Sequence, residues 1–256
     1  MALNACKDVD LSVYFVADPH ACGGRDIAEI VIQAIQGGVT MVQYRNKVDG
    51  KPLIAAQAAM LAELIKPFDV PFLVNDHVDI ARDVDADGAH IGQGDIDPAE
   101  ARRILGADKI LGLTAFTQEH IENVCKLNDC SIRKNEQSHP ISILPPAGGG
   151  SSHRAGGGAN DMQSAFTIDY IGTGPFFPTK TDKGKPVLGA EKFAQLVKLS
   201  PVPVVGIGGI TPENAAAVLR AGANGVAMMR AISEAENPKH AASEFAKTVK
   251  SFTLMA

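Results

Sequence analysis

No stretch of this 256-residue chain approaches the ~20 consecutive apolar residues that a membrane-crossing helix needs. The first residues, MALNACKDVDLS, lack a basic region followed by an apolar run, so no secretory signal is expected. An excess of positive charge is also missing. The formal net charge is −5, which disfavours a polyanionic nucleic acid as partner but leaves room for a local basic pocket. Cysteines are few: Cys6, Cys22, Cys125 and Cys130. Their spacings match neither a zinc site nor a disulfide framework, so free thiols in a reducing compartment are expected. No Ser-His-Asp or Cys-His arrangement stands out, and no side chain is an obvious covalent nucleophile. These absences together predict a soluble cytoplasmic protein with neither membrane nor nucleic acid as partner.

What is present is a repeated alternation. Short apolar runs occur at Val13–Ala17, Met41–Arg45, Phe72–Val74, Gly88–Ile91, Ile110–Thr114, Asp169–Thr173, Val204–Ile207 and Gly225–Met229. They are nearly continuous in apolar residues, as strands buried on both faces should be. Helical spacing fills the gaps: Ile27, Ile30, Val31, Ala34 and Ile35; Leu53, Ala56, Ala59, Met60 and Leu64; and Ala215, Val218 and Leu219 behind Pro212. Strand–helix alternation implies a parallel sheet. Eight units in 256 residues favour closure into a single-domain (β/α)8 TIM barrel over 1–256, with a doubly wound open sheet as the alternative. One segment, 130–167, has no period and contains PPAGGGSSHRAGGGAND. It reads as a flexible insertion between helix 5 and strand 6, entering the barrel on the face opposite an active site. His139 and His153 within it are too isolated to suggest a metal site.

Barrel chemistry sits at strand C-termini and the loops after them. There the sequence places Gln43, Arg45 and Lys47; Asn75 and Asp76; His90, Gln93 and Asp95; Thr114 and Thr117; Thr179, Lys180, Thr181 and Lys183; Gly208 and Gly209; and Arg230. Gln43, Arg45 and Lys47 alternate, so a strand sends them one way, and two cations with an amide suit a polyphosphate. Asp76 and Asp95, at adjacent strand ends, are candidate Mg²⁺ ligands, since Mg²⁺ takes one or two carboxylates and completes its shell with water and phosphate. Asp76 could equally be a helix N-cap and Asp95 a turn residue. The GIGGI run and the following AGANGVAMMRAI suit a backbone phosphate clamp.

Four stretches, GGVTMVQYRNK, FLVNDHVDIARDVDADGAHIGQGD, DYIGTGPFFPTKT and VVGIGGITPENAAAVLRAGANGV, together resemble the thiamine-phosphate synthase family over nearly the whole chain outside the insertion. The resemblance implies a Mg²⁺-dependent transferase. It would join 4-amino-5-hydroxymethyl-2-methylpyrimidine diphosphate to a thiazole phosphate, with a pyrimidine methyl cation formed on loss of diphosphate. Carried over, Gln43 contacts the pyrimidine, and Arg45, Lys47 and Asn75 hold the diphosphate. Asp76 and Asp95 bind Mg²⁺, and Thr179 and Thr181, with backbone at Gly208 and Gly209, hold the thiazole phosphate. Thr114 stands where the family has a serine. Asp182 replaces a diphosphate-contacting lysine, and Lys183 is expected to take over that role. Phe116 stands in place of a histidine and Arg230 in place of a serine. The partners implied are small molecules, and a homo-oligomer is compatible with the chain. Two other readings remain: a thiazole tautomerase-like relative, which would need an acid or base near the thiazole, and a non-catalytic ligand-binding barrel.

Overall fold

A computed structural model describes residues 9–128, 168–181 and 186–254. The expected insertion at 130–167 and the expected Lys183 role lie outside the described residues. Eight parallel strands close into a barrel in chain order: β1 (Val13–Ala17), β2 (Met41–Tyr44), β3 (Phe72–Asn75), β4 (Gly88–Ile91), β5 (Ile110–Thr114), β6 (Tyr170–Thr173), β7 (Val204–Ile207) and β8 (Gly225–Met228). The helices are α1 (Ile27–Gln36), α2 (Lys51–Ile65), α3 (Val78–Asp83), α4 (Pro98–Leu105), α5 (Gln118–Leu127), α6 (Gly189–Leu199), α7 (Ala215–Arg220), α8 (Arg230–Ser233) and α9 (Pro238–Thr253). This is the (β/α)8 barrel that the alternation predicts. Among the described residues no helix is long and apolar enough to cross a membrane, and Cys22 and Cys125 are free thiols.

Alternate residues of each strand face opposite ways, and two apolar layers result. The outward residues Val13, Phe15, Val42, Phe72, Val74, Leu111, Ile171 and Val204 join the helices in one large core. The inward residues Leu11, Tyr14, Met41, Leu73, Ile110, Tyr170, Val205 and Ala227 fill the barrel. Helix starts follow local chemistry. Asp26 caps α1, Asp97 caps α4, Thr117 caps α5 and Asn237 caps α9, each side chain accepting a backbone N–H of the first turn. Ile27, Ile30, Val31 and Ala34 are buried as their spacing predicts.

Helix α2 differs from expectation. It buries Ile54, Ala58, Leu61 and Ile65, while Leu53, Ala56, Ala59 and Met60 are exposed. Apolar residues surround this helix on all sides, so spacing alone cannot say which stripe meets the barrel; docking on β3 and on the neighbouring helices α1 and α3 decides it.

The face opposite the strand C-termini is closed by buried polar groups. Arg102 of α4 pairs with Asp169 at 2.6 Å, with both side chains almost fully buried. Asp169 also accepts the Leu111 N–H at 2.7 Å. Asn128 and Ile168 exchange two hydrogen bonds, Nδ2 to carbonyl at 2.8 Å and N–H to Oδ1 at 2.9 Å. The chain therefore leaves α5 and re-enters β6 at one pinned point.

Candidate active site

At the strand C-termini lies a cavity of about 500 Å³. Its lining includes Gln43, Arg45, Lys47, Asn75, Asp76, Thr114, Thr179, Thr181, Gly208 and Gly209, which the sequence reading places at one rim. Asp95 is not part of that lining but meets Asp76. The fold gathers these groups because every strand ends on the same face and the inward parity continues into the loops.

On the β2 side, Gln43 is buried, Arg45 is held by Asp18 at 2.5 Å, and Lys47 pairs with Asp76 at 3.0 Å. Asp76 adopts φ +63°, a left-handed conformation that Asp tolerates better than most residues. The Asp76 N–H donates to the His90 carbonyl at 2.9 Å, tying the end of β3 to β4. Asp76 thus precedes α3 without capping it: the cap position is His77, with no side-chain bond. Burial, then a hydrogen bond and repulsion from Asp95, raise the Asp76 pKa above the ordinary carboxylate range, against the pull of Lys47. Burial also works on Asp95, but the Gly92 N–H, at 2.6 Å, the Asp76 carboxyl and Lys47 draw its pKa below that range. Two meeting carboxylates offer hard oxygen donors, the set that Mg²⁺ prefers. The buried Asn75 Nδ2 has no hydrogen-bond partner, and such a donor next to Asp76 fits an anionic ligand.

On the other side, the loops after β6 and β7 are zipped together. Phe176 N–H donates to the Ile207 carbonyl at 2.9 Å and Phe177 N–H to the Gly208 carbonyl at 3.0 Å. Gly208 has φ +99° and Gly209 has φ +65°. A Cβ on Gly208 would lie 2.6 Å from Pro175 Cα, and one on Gly209 2.4 Å from the Pro178 carbonyl. The glycines are therefore needed for backbone conformation and for loop contact at once. Thr181 N–H donates to Thr179 Oγ1 at 3.3 Å, and Arg230 Nε donates to Thr181 Oγ1 at 3.3 Å. Arg230 also pairs with Glu234, so it braces the threonine turn as well as lining the cavity. We expect Gly208→Ala to lower stability by about 1–3 kcal/mol, the range for a side chain forced into a strained backbone, as read from urea unfolding. Its affinity for inorganic phosphate, measured calorimetrically on folded protein, should fall with it.

Phe116 lines the cavity. A histidine is near it after all. His120, in the first turn of α5, packs edge-on against Phe116 at 4.7 Å and its Nδ1 accepts the Phe116 N–H at 3.4 Å. Its ring is occupied in holding the loop.

The sequence reading does not single out Tyr14, Tyr170 or Asp18, and it mentions His90 only as a rim group. Tyr14, on inward parity in β1, and His90, on β4, line the cavity. Tyr170, inward on β6, hydrogen-bonds to both. Burial lowers the His90 pKa to about 4, which keeps the imidazole neutral. Strand parity was the available signal for the tyrosines; their apolar neighbours hid it.

Comparison with known proteins gives one answer. A family model described as thiamine monophosphate synthase matches residues 13–129 and 148–232. The thiamine-phosphate synthase of Persephonella marina is 35% identical over 245 residues, covering 96% of this chain and 99% of its own. That of Bacillus licheniformis is 36% identical over 252 residues, covering 96% and 94%. Among solved structures, the thiamine phosphate pyrophosphorylase of Pyrococcus furiosus superposes with a TM-score of 0.70 at 26% identity, covering 95% of this chain and 97% of its own.

Proposed function

The chain belongs to the thiamine monophosphate synthase family and is a transferase that makes thiamine phosphate; from this premise we propose how its residues divide the work. Its substrates are small molecules. On this reading they are 4-amino-5-hydroxymethyl-2-methylpyrimidine diphosphate and a thiazole phosphate, and the products are thiamine phosphate and pyrophosphate. Gln43 contacts the pyrimidine. Arg45, Lys47 and the unpartnered amide of Asn75 receive the diphosphate. Thr179, Thr181 and the backbone of Gly208 and Gly209 take the thiazole phosphate. Asp76 and Asp95 would hold Mg²⁺, which would neutralise charge on the leaving diphosphate.

The observation that supports the reading is that one cavity carries two separate groupings suited to anions. Cations and an orphaned amide stand at one wall, and a glycine turn braced by Arg230 stands at the other. A reaction between a diphosphate and a monophosphate needs two such sites. As the pyrimidine–oxygen bond breaks, negative charge grows on the diphosphate. Fixed cations already aimed there stabilise the transition state more than the ground state. Arg45 suits this task because Asp18 holds its guanidinium before any ligand arrives, so little ordering entropy remains to be lost. Thr114 lines the cavity floor and offers a hydroxyl to the reacting groups. The free thiols Cys22 and Cys125 favour a reducing compartment, and we assign the protein to the cytoplasm.

Pyrophosphate release by the purified chain tests the reading. Release is expected only with both substrates and Mg²⁺, and EDTA should abolish it. Release undiminished in EDTA would remove the metal from the scheme. Tight binding of both ligands without release would favour a non-catalytic binding barrel. An acid or base beside the thiazole would be needed for a tautomerase, and among the described residues the one histidine lining the cavity, His90, is engaged at both ring nitrogens.

A further inference from the structure

Between the two cations of the diphosphate wall stands a residue that faces the other way. Arg45 and Lys47 line the cavity and Asn46 does not, as alternation along an extended segment requires. The Asn46 side chain is buried instead. Its Oδ1 accepts the N–H groups of Val48 and Asp49, each at 3.1 Å. Its Nδ2 donates to Asp49 Oδ2 at 2.8 Å and to the Tyr44 hydroxyl at 3.1 Å. Tyr44 in turn bonds Gln57 Oε1 of α2 at 2.7 Å. The partners fix which way the Asn46 amide points. Backbone N–H groups can only donate, and an ionised carboxylate can only accept. Asp49 is held ionised: the Asn46 hydrogen bond, and after it the one from His20, draw its pKa below the ordinary carboxylate range, against a desolvation cost.

These contacts close a ring. His20 Nε2 lies 3.1 Å from the same Asp49 oxygen. The His20 N–H donates to Asp18 Oδ1 at 2.9 Å, and the other Asp18 oxygen holds the Arg45 guanidinium at 2.5 Å. The peptide bond from Arg45 to Asn46 completes the circuit. The turn after β1 and the turn after β2 are thereby locked to each other. Arg45 is fixed at both ends, its backbone beside Asn46 and its guanidinium by Asp18. Lys47 leaves the middle of the same turn and reaches Asp76 at 3.0 Å. Two cations that converge on one anion repel each other while the site is empty, so their convergence has to be imposed from behind. Of the residues in the ring, Asn46, Asp49, His20 and Asp18 stay out of the cavity lining.

We propose that Asn46 is the positioning residue of the diphosphate wall: its buried amide fixes the turn over 45–49 and so aims Arg45 and Lys47 at the diphosphate before any ligand arrives. The inference rests on the synthase reading and adds to it a residue that touches no substrate. The chemistry at position 46 is restrictive. One short side chain must accept two backbone N–H groups and, at the same time, donate to a carboxylate. Asparagine does both; aspartate accepts but cannot donate when ionised, and alanine does neither. Asn46→Asp sets a second carboxylate against Asp49, and the two repel. The turn then opens and both cations lose their aim. Combining Asn46→Asp with Asp49→Asn exchanges the partners. The carboxylate at 46 still accepts both N–H groups and now receives the amide at 49.

Calorimetry on the full chain tests this, with two probes read separately: inorganic pyrophosphate with Mg²⁺ for the cation wall, and thiazole phosphate for the glycine turn opposite. In Asn46→Asp the affinity for pyrophosphate should fall by about tenfold or more, since a small misplacement of a binding group is costly, while that for thiazole phosphate stays as in the wild type. The exchanged double variant should regain most of the lost affinity. In turnover, the KM for the pyrimidine diphosphate should rise and kcat fall, with the KM for thiazole phosphate unmoved. Equal weakening of both probes would show a merely structural role and overturn the proposal. So would an unchanged pyrophosphate affinity, or an exchange that recovers nothing. If Asn46→Asp fails to fold, Asn46→Ala, which adds no charge, should show the same selective loss. A wild type that binds no pyrophosphate would remove the diphosphate wall itself, and the proposal with it; a wild type that binds, beside variants that bind equally well, would sink the role of Asn46 alone.

Discussion

Asp76→Asn is expected to lower kcat/KM for thiamine phosphate formation by about a hundred- to a thousandfold, the scale on which one aimed electrostatic group acts in a transition state. Asparagine is the informative replacement. Asp76 sits at φ +63°, where asparagine is tolerated and alanine is strained, so the amide removes charge without disturbing the backbone. Stability should be unchanged or slightly higher near neutral pH. Burial and Asp95 raise the pKa of Asp76 in the folded protein. A carboxyl raised in this way favours folding when protonated and loses that contribution as pH rises through its folded pKa. Its charge therefore opposes folding at neutral pH, and the amide relieves that cost. Steady-state kinetics across a Mg²⁺ titration, with thermal unfolding alongside, would check both halves. Activity within tenfold of wild type at saturating Mg²⁺ would take Asp76 out of the metal site.

The second large effect lies at the opposite end of the barrel. Asp169→Ala should cost about 3–5 kcal/mol, because it leaves the buried charge of Arg102 without its carboxylate, with bonds to the Gly106 and Lys109 carbonyls still in place, and removes the acceptor for the Leu111 N–H. That is a large share of the ~5–15 kcal/mol that holds a typical protein together. Urea unfolding would measure it. The folded fraction should keep its kcat/KM, since the pair is on the face away from the cavity. Replacing both partners by apolar residues, Arg102→Met with Asp169→Leu, should recover most of the loss, as paired removal leaves no buried charge. A single-variant cost below about 1 kcal/mol would show instead that the pair is screened like an exposed one.

Much of this protein can be read along the chain. The eight apolar runs fix the strands to within a residue or so because a strand covered on both faces tolerates few polar residues. Met41–Arg45 is predicted and Met41–Tyr44 observed; Asp169–Thr173 is predicted and Tyr170–Thr173 observed. Parallel connection then forces all strand ends onto one face. That is why Gln43, Arg45, Lys47, Asn75, Asp76 and Thr114 come together in space although they are far apart in sequence.

Other features needed the fold. Helix α2 is apolar on every side, so only docking decided that Ile54, Ala58, Leu61 and Ile65 turn inward. Asp169 reads as an ordinary strand start, and its role appears only when α4 brings Arg102 to it. Tyr14 and Tyr170 stand 156 positions apart, each hidden in an apolar run. The sequence by itself determined the strand–helix rhythm, the polar rim and the chemistry gathered there, because these follow from local periodicity and from which strand end a residue occupies. Only tertiary structure decided the contacts that join Tyr14, Tyr170, His90 and Thr114, because these side chains come within about 3 Å of one another only when the barrel closes.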